Sequence, residues 1–237
     1  MSSNLERRYR SLLRVLPGWY RAEREEEMVG LFLTDRDDDL DREHGWPGWD
    51  EAFATVGLAV RVRFRERSPA GDAARLVALV GLAGHVVLAA QGVATAVRYG
   101  GSPAVWFDAL AVGAFAAVVT GRWAWARWLA LVSAVVAVGS AVLAPGVSSW
   151  WAVQSALPAV VTAVAVWLGF HREAPAVPRA RRWVAVSAVG AVLGAAVAWV
   201  FALSLVVWAA AWLITTAVVV VSRPWAGAPA GRSAPAG

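Results

Sequence analysis

The chain has 237 residues, 59% hydrophobic and 16% charged, with a formal net charge of +5, 22 basic residues that are all Arg, and no Cys. The lack of Cys excludes disulfides, thiolate metal sites, a cysteine nucleophile and palmitoylation, and the apolar fraction exceeds the roughly 45–50% of ordinary soluble domains. A pI near 10.8 would suit a nucleic-acid binder, but the excess Arg flanks apolar runs, so it reads as membrane topology and lipid-headgroup contact, with no direct nucleic-acid partner.

The charges divide the chain at 68–72. Residues 1–72 hold 12 Arg and 15 acids, a net of −3, whereas residues 73–237 hold 10 Arg and 2 acids, a net of +8. A long stretch so poor in charge is what hydrocarbon permits. The expected fold class is therefore all-α: a polytopic helical membrane protein with a small cytoplasmic three-helix domain at 1–67, a linker at 68–72 and a transmembrane domain at 73–222. No apolar core of signal-peptide length follows Met1–Arg14, so the N-terminus is expected to stay in the cytoplasm, with the first membrane helix as an uncleaved anchor.

The first helix carries Leu5, Tyr9, Leu12, Leu13 and Leu16 at helical spacing; Ser3 with Glu6 forms a capping box, and Pro17-Gly18 stops it. The second runs from Trp19 into the acidic stretch, is expected to bury Met28, Leu31 and Phe32, and ends at the turn Gly45-Trp46-Pro47-Gly48. The third carries a stripe of Trp49, Phe53, Val56, Val60 and Phe64, with Arg61, Arg63, Arg65 and Arg67 on its far side. Those arginines precede the first span, so they are expected to rest on anionic headgroups, each contributing about 1 kcal/mol there.

The order LERRYRSLLRVLP, EEEMVGLFL, GWPGWDEAFATVGLAVRVR resembles the HAAS domain, the helix-turn-helix-associated α-helical signalling domain, and is similar to prefix domains that precede bacterial permease segments. The likeness lies in Tyr9, Leu12, Leu16, Pro17, Glu26-Glu27, Gly45, Glu51-Ala52 and Gly57. It departs from the family where Gly57-Leu58-Ala59 replaces the usual Gly-Asp-Pro. The resemblance covers only the charged N-terminal segment. It implies a bacterial regulatory protein paired with a co-encoded PadR-type transcription regulator.

Six spans are expected at 73–97, 103–120, 128–144, 150–170, 183–201 and 204–221. The uncharged run 183–221 would be roughly twice the hydrocarbon thickness as one helix, so it must fold back near 202–204; a re-entrant last segment would give five spans. With the N-terminus inside, Arg122, Arg127, Arg172, Arg179, Arg181, Arg182, Arg223 and Arg232 fall on inner connections and Arg98 alone on an outer one. Both termini are thus expected on the cytoplasmic side of a bacterial inner membrane. Many of the 15 Trp, among them Trp123, Trp128, Trp167 and Trp183, mark span boundaries as an interfacial belt. The Pro, Ala and Gly tail at 223–237 is expected to be disordered.

Within the spans, His85 and Asp108 are the candidate intramembrane polar groups. A neutral His85 hydrogen-bonded to a neighbouring helix is the expected outcome for the first, whereas Asp108 could pair with Arg98 or face a water-filled vestibule. Two such groups are too few for a transport path. Gly190 and Gly194 form a GxxxG face for close helix packing, with a helix of this chain favoured over a second subunit, although a homo-oligomer remains open. The acidic run from Asp35 to Glu43 fails as a calcium loop, because its sixth and twelfth positions are Leu40 and Trp46. It resembles a prenyl-transfer aspartate motif, but no second copy exists, so it reads as a solvated or partner-facing surface. No Walker loop, GxSxG or HExxH occurs, and His44, His85 and His171 are far apart. No catalytic, cofactor or metal residue is assigned, and the chain is not expected to be an enzyme. The expected partner surface joins Trp46 and Trp49, which a corner turn cannot bury together, to a rim of Glu23, Glu26 and Glu27. The alternative to a regulator-binding protein is the membrane subunit of a transport system with a docking prefix.

Overall fold

The computed structural model describes residues 4–34, 46–64, 68–100, 106–143, 149–171, 176–201 and 204–225, and among these every regular element is helical. The chain separates into two compact units, Met1–Asp72 and Ala73–Gly237.

The first unit contains α1 (Asn4–Leu13), α2 (Gly18–Thr34) and α3 (Trp49–Arg63). Bonds from the amides of Val15 and Leu16 to the carbonyls of Leu12 and Leu13 tighten the end of α1, and Pro17, which cannot continue the ladder, separates it from α2. Tyr9, Leu13, Leu16, Val29 and Ala59 form the core, with Met28 and Phe32 packed against it. Two neighbouring residues of α1 tie all three helices. The Tyr9 ring stacks on Phe32 at 4.0 Å, and its hydroxyl donates to Glu51 of α3 at 3.0 Å. Arg10 forks across both oxygens of Glu26 at 2.7 and 2.9 Å and also reaches Glu6 and Glu25. Gly48 precedes α3 with φ of 97°, a left-handed conformation that glycine adopts without strain.

One feature of this unit departs from the sequence reading. Leu31 is not buried; it is 68% exposed, because the side of α2 that meets the core is the one bearing Val29, Met28 and Phe32. The apolar stripe of α3 also points outward. Its inward side is Thr55, Ala59 and Val62, small or β-branched residues, while Trp49 and Phe53 are each 70% exposed. The capping residue Ser3, the acidic run 35–43, Arg65 and Arg67 lie outside the described residues.

The expected linker at 68–72 is helical from Pro69 onward. Ser68 caps α4 (Pro69–Tyr99), its hydroxyl accepting from the Gly71 amide at 3.0 Å, and Pro69 takes the first helical position, where its missing N–H costs nothing. α5 (Trp106–Val119), α6 (Trp123–Leu143), α7 (Ser149–Gly169), α8 (Ala180–Val200) and α9 (Ser204–Ser222) follow. Gly121, at φ of 75°, closes α5 with an Arg122 amide bond to Ala117 at 2.8 Å, the six-to-one bond of a Schellman turn. α6 packs against α5 and α7, and α8 against α9.

The bundle core is mostly small residues. One face of α6 buries Ala126, Ala130, Ser133, Ala134 and Ala137, which suits association by close backbone packing where lipid offers no hydrophobic drive. α4, α6, α8 and residues 205–222 of α9 are long and apolar enough to cross a membrane; the described apolar stretches of α5 and α7, Asp108–Val119 and Ala156–Gly169, are shorter. The uncharged run 183–221 is broken at Phe201, whose backbone is extended, so two separate helices occupy it. The 226–237 tail lies outside the described residues.

Candidate functional site

The two intramembrane candidates meet. His85 Nδ1 lies 2.6 Å from Asp108 Oδ1, joining α4 to the first turn of α5, with the two residues 1% and 5% exposed. An isolated ionisable group would be expensive here; the imidazole and the carboxyl group give each other a hydrogen-bond partner, and the amide dipoles at the α5 N-terminus favour a carboxylate. Arg98, a partner considered for Asp108, lies elsewhere: its guanidinium stacks over Trp199 at 5.2 Å and Tyr99 at 5.6 Å. An aromatic platform thus holds this cation.

α9 closes the other side of this pair. The Trp212 ring presents an edge to His85 at 6.0 Å between centroids, and it fits because residue 84 is glycine: a Cβ there would overlap the indole. One turn and a half further along α4, Gln91 donates to the backbone carbonyl of Val207 at 2.9 Å. Gly190 and Gly194 of α8 receive Val87 from the same helix, and a Cβ on either would stand 3.0 or 2.5 Å from its methyls. The GxxxG face therefore packs against α4 of its own chain. Sequence reasoning missed Trp212 and Gln91's acceptor, because a tryptophan near the middle of a span and a backbone carbonyl carry no distinguishing pattern.

In the N-terminal unit, the expected partner residues divide. Trp46 is 51% exposed and its ring lies 6.2 Å from that of Trp49, which in turn lies 6.2 Å from Phe53. Glu23 is exposed. Glu26 is held by Arg10, whose hydrogen bonds keep its carboxyl below the usual carboxylate range, and Glu27 pairs with Arg24 at 3.1 Å. Together, Trp19, Glu23, Glu27 and Leu31 form one exposed ridge of α2 at i, i+4, i+8 and i+12.

Among the described residues no three His, Asp or Glu side chains gather as metal ligands would. The class defined by these features is an all-helical protein with four helices fit to cross a membrane and a small N-terminal helical unit. No family model matches the chain, and neither a curated protein nor a solved structure does.

Proposed function

We propose that the chain is a membrane-held regulatory protein whose cytoplasmic N-terminal unit captures a transcription regulator, of the PadR type that the HAAS resemblance implies. The observation that carries this reading is the α2 ridge. Trp19 and Leu31 are exposed apolar ends, and Glu23 and Glu27 are carboxylates between them, on a helix whose other side is fixed in the core. Apolar anchors beside acids suit a protein partner. A DNA-reading regulator presents a basic surface, and a carboxylate ridge complements it, so capture at the membrane would compete with DNA. In this reading the spans number six and both termini face the cytoplasm.

The alternative, a transport subunit, is less well supported. His85 pairs with Asp108 through Nδ1, and among the described residues no ladder of ionisable groups at successive depths continues from them.

The test is co-purification of the detergent-solubilised full chain with a co-encoded regulator. Glu23→Lys combined with Leu31→Asp should abolish capture while the helical signal and membrane insertion are unchanged. Undiminished capture by that variant would remove the α2 ridge from the interface.

A further inference from the structure

We infer that the outward face of α3 lies in the plane of the membrane surface, seated at the boundary between anionic headgroups and acyl chains. This face is distinct from the α2 ridge and does not depend on the partner reading.

At about 100° per residue, Trp49, Phe53, Val56 and Val60 fall within about 60° of one another. All four are exposed. The side that meets the N-terminal core, Thr55, Ala59 and Val62, is about a third of a turn away, and the remaining arc carries Asp50 and Ala54, also exposed. The helix thus has three sides: one for its own core, one for water, and one that is apolar and exposed among the described residues of its unit.

Three observations select a bilayer as the occupant. The apolar side is aromatic at its start, with Trp46, Trp49 and Phe53 in ring contact at 6.2 Å spacings, and amphipathic rings are the side chains that settle at headgroup depth. Exposed Arg61 and Arg63 occupy the last turn, where they offset the negative end of the helix dipole and offer cations to anionic phosphates. Finally, only residues 64–68 separate α3 from α4, the first helix fit to cross a membrane. Even fully extended, that connection holds the end of α3 within about 20 Å of the first turn of α4. A free apolar face tethered so closely to a span meets the headgroup region before any soluble partner, and it shares aromatic rings and arginines with in-plane helices. Trp46 and Trp49, the recognition anchors expected from sequence, then become membrane anchors.

The absence of Cys from the chain permits a direct measurement. Single cysteines at Phe53, Val56 and Val60, and at the exposed controls Ala54 and Ala22, would be spin-labelled in the full chain reconstituted into phosphatidylethanolamine–phosphatidylglycerol vesicles. Collisions with oxygen should exceed those with a water-soluble nickel chelate at 53, 56 and 60, with the order reversed at 54 and 22. Replacing both lipids by phosphatidylcholine should shift the three stripe sites toward the chelate. Stripe sites as accessible to the chelate as Ala22 would overturn the inference. So would stripe sites that stay open in vesicles and close only when a co-encoded regulator is added, which would give the face to a protein. A label-free measurement guards against perturbation by the probe. Trypsin should cut after Arg61 and Arg63 faster in a Phe53→Glu, Val56→Glu variant than in the wild type in the same vesicles, and equal rates would overturn it as well.

Discussion

The imidazole of His85 and the carboxylate of Asp108 meet at 2.6 Å across two helices, 23 positions apart in the chain. Each is what makes the other tolerable in an apolar interior. Removing one member leaves an unpaired polar group at depth, whereas removing both leaves only a packing change. Asp108→Leu or His85→Leu alone should therefore destabilise the detergent-solubilised protein by about 3–5 kcal/mol, and the double variant by clearly less than the sum. Thermal unfolding of the four forms in one detergent closes this cycle. Additive losses would show that the two side chains act independently.

Gly194 marks a second tight contact, since a Cβ there would stand 2.5 Å from a Val87 methyl and 3.3 Å from Gln91 Cγ. Neither neighbour is the free end of a long chain, so α8 must move away from α4. Gly194→Ala should cost about 1–3 kcal/mol, as overpacking does, and Val87→Ala in the same chain should restore part of it. Gly194→Ala without loss, or without rescue, would place the GxxxG contact elsewhere.

What the sequence made legible follows from which signals are local. Helical class is visible because hydrophobic runs and Arg breaks alternate at membrane length. The His85–Asp108 pair was only half visible. Both residues stood out as ionisable groups among apolar ones, but their union depends on the relative rotation of α4 and α5, which no spacing encodes; Arg98, nearer in sequence, found aromatic rings instead. The α3 stripe and Leu31 show the same limit in another form. Periodicity locates an apolar side of a helix, but it does not say whether that side meets a core or something outside it.

Two titrating groups of the N-terminal unit give opposite pH signatures. Glu26 titrates below the usual range because Arg10 bonds its charged form; its contribution is present above the unfolded carboxylate value near 4.3 and is lost as pH falls through the lower folded value. Tyr9 titrates above its usual value because burial, and then the Glu51 charge, disfavour the phenolate; its contribution is present below about 10 and is lost as pH rises toward the folded value. Glu26→Gln should flatten the acid fall in the melting midpoint of this unit, and Tyr9→Phe the alkaline fall, each leaving the other limb in place. A Tyr9→Phe variant with an unchanged alkaline limb would show that the phenol is not held as described.

The number of spans turns on α5 and α7, whose described apolar stretches are the short ones. If α4, α6, α8 and α9 alone cross, the ends of the chain lie on one side just as they do with six, so a reporter at the C-terminus cannot separate the two counts. Thr120 can. It is exposed just past the end of α5, two residues before Arg122. In the proposed topology, with α5 spanning, Thr120 returns to the cytoplasm; without it, Thr120 and Arg122 face outward, and the start of α6 with Arg127 follows them. Arg is disfavoured on the outer side of a bacterial membrane, and Arg127 is seated over the Trp167 ring at 5.3 Å, where a headgroup-level cation and an interfacial tryptophan belong together. Thr120→Cys in this cysteine-free chain should therefore be protected from a membrane-impermeant maleimide in intact cells and react once the inner membrane is opened. Labelling in intact cells would reduce the count from six to four.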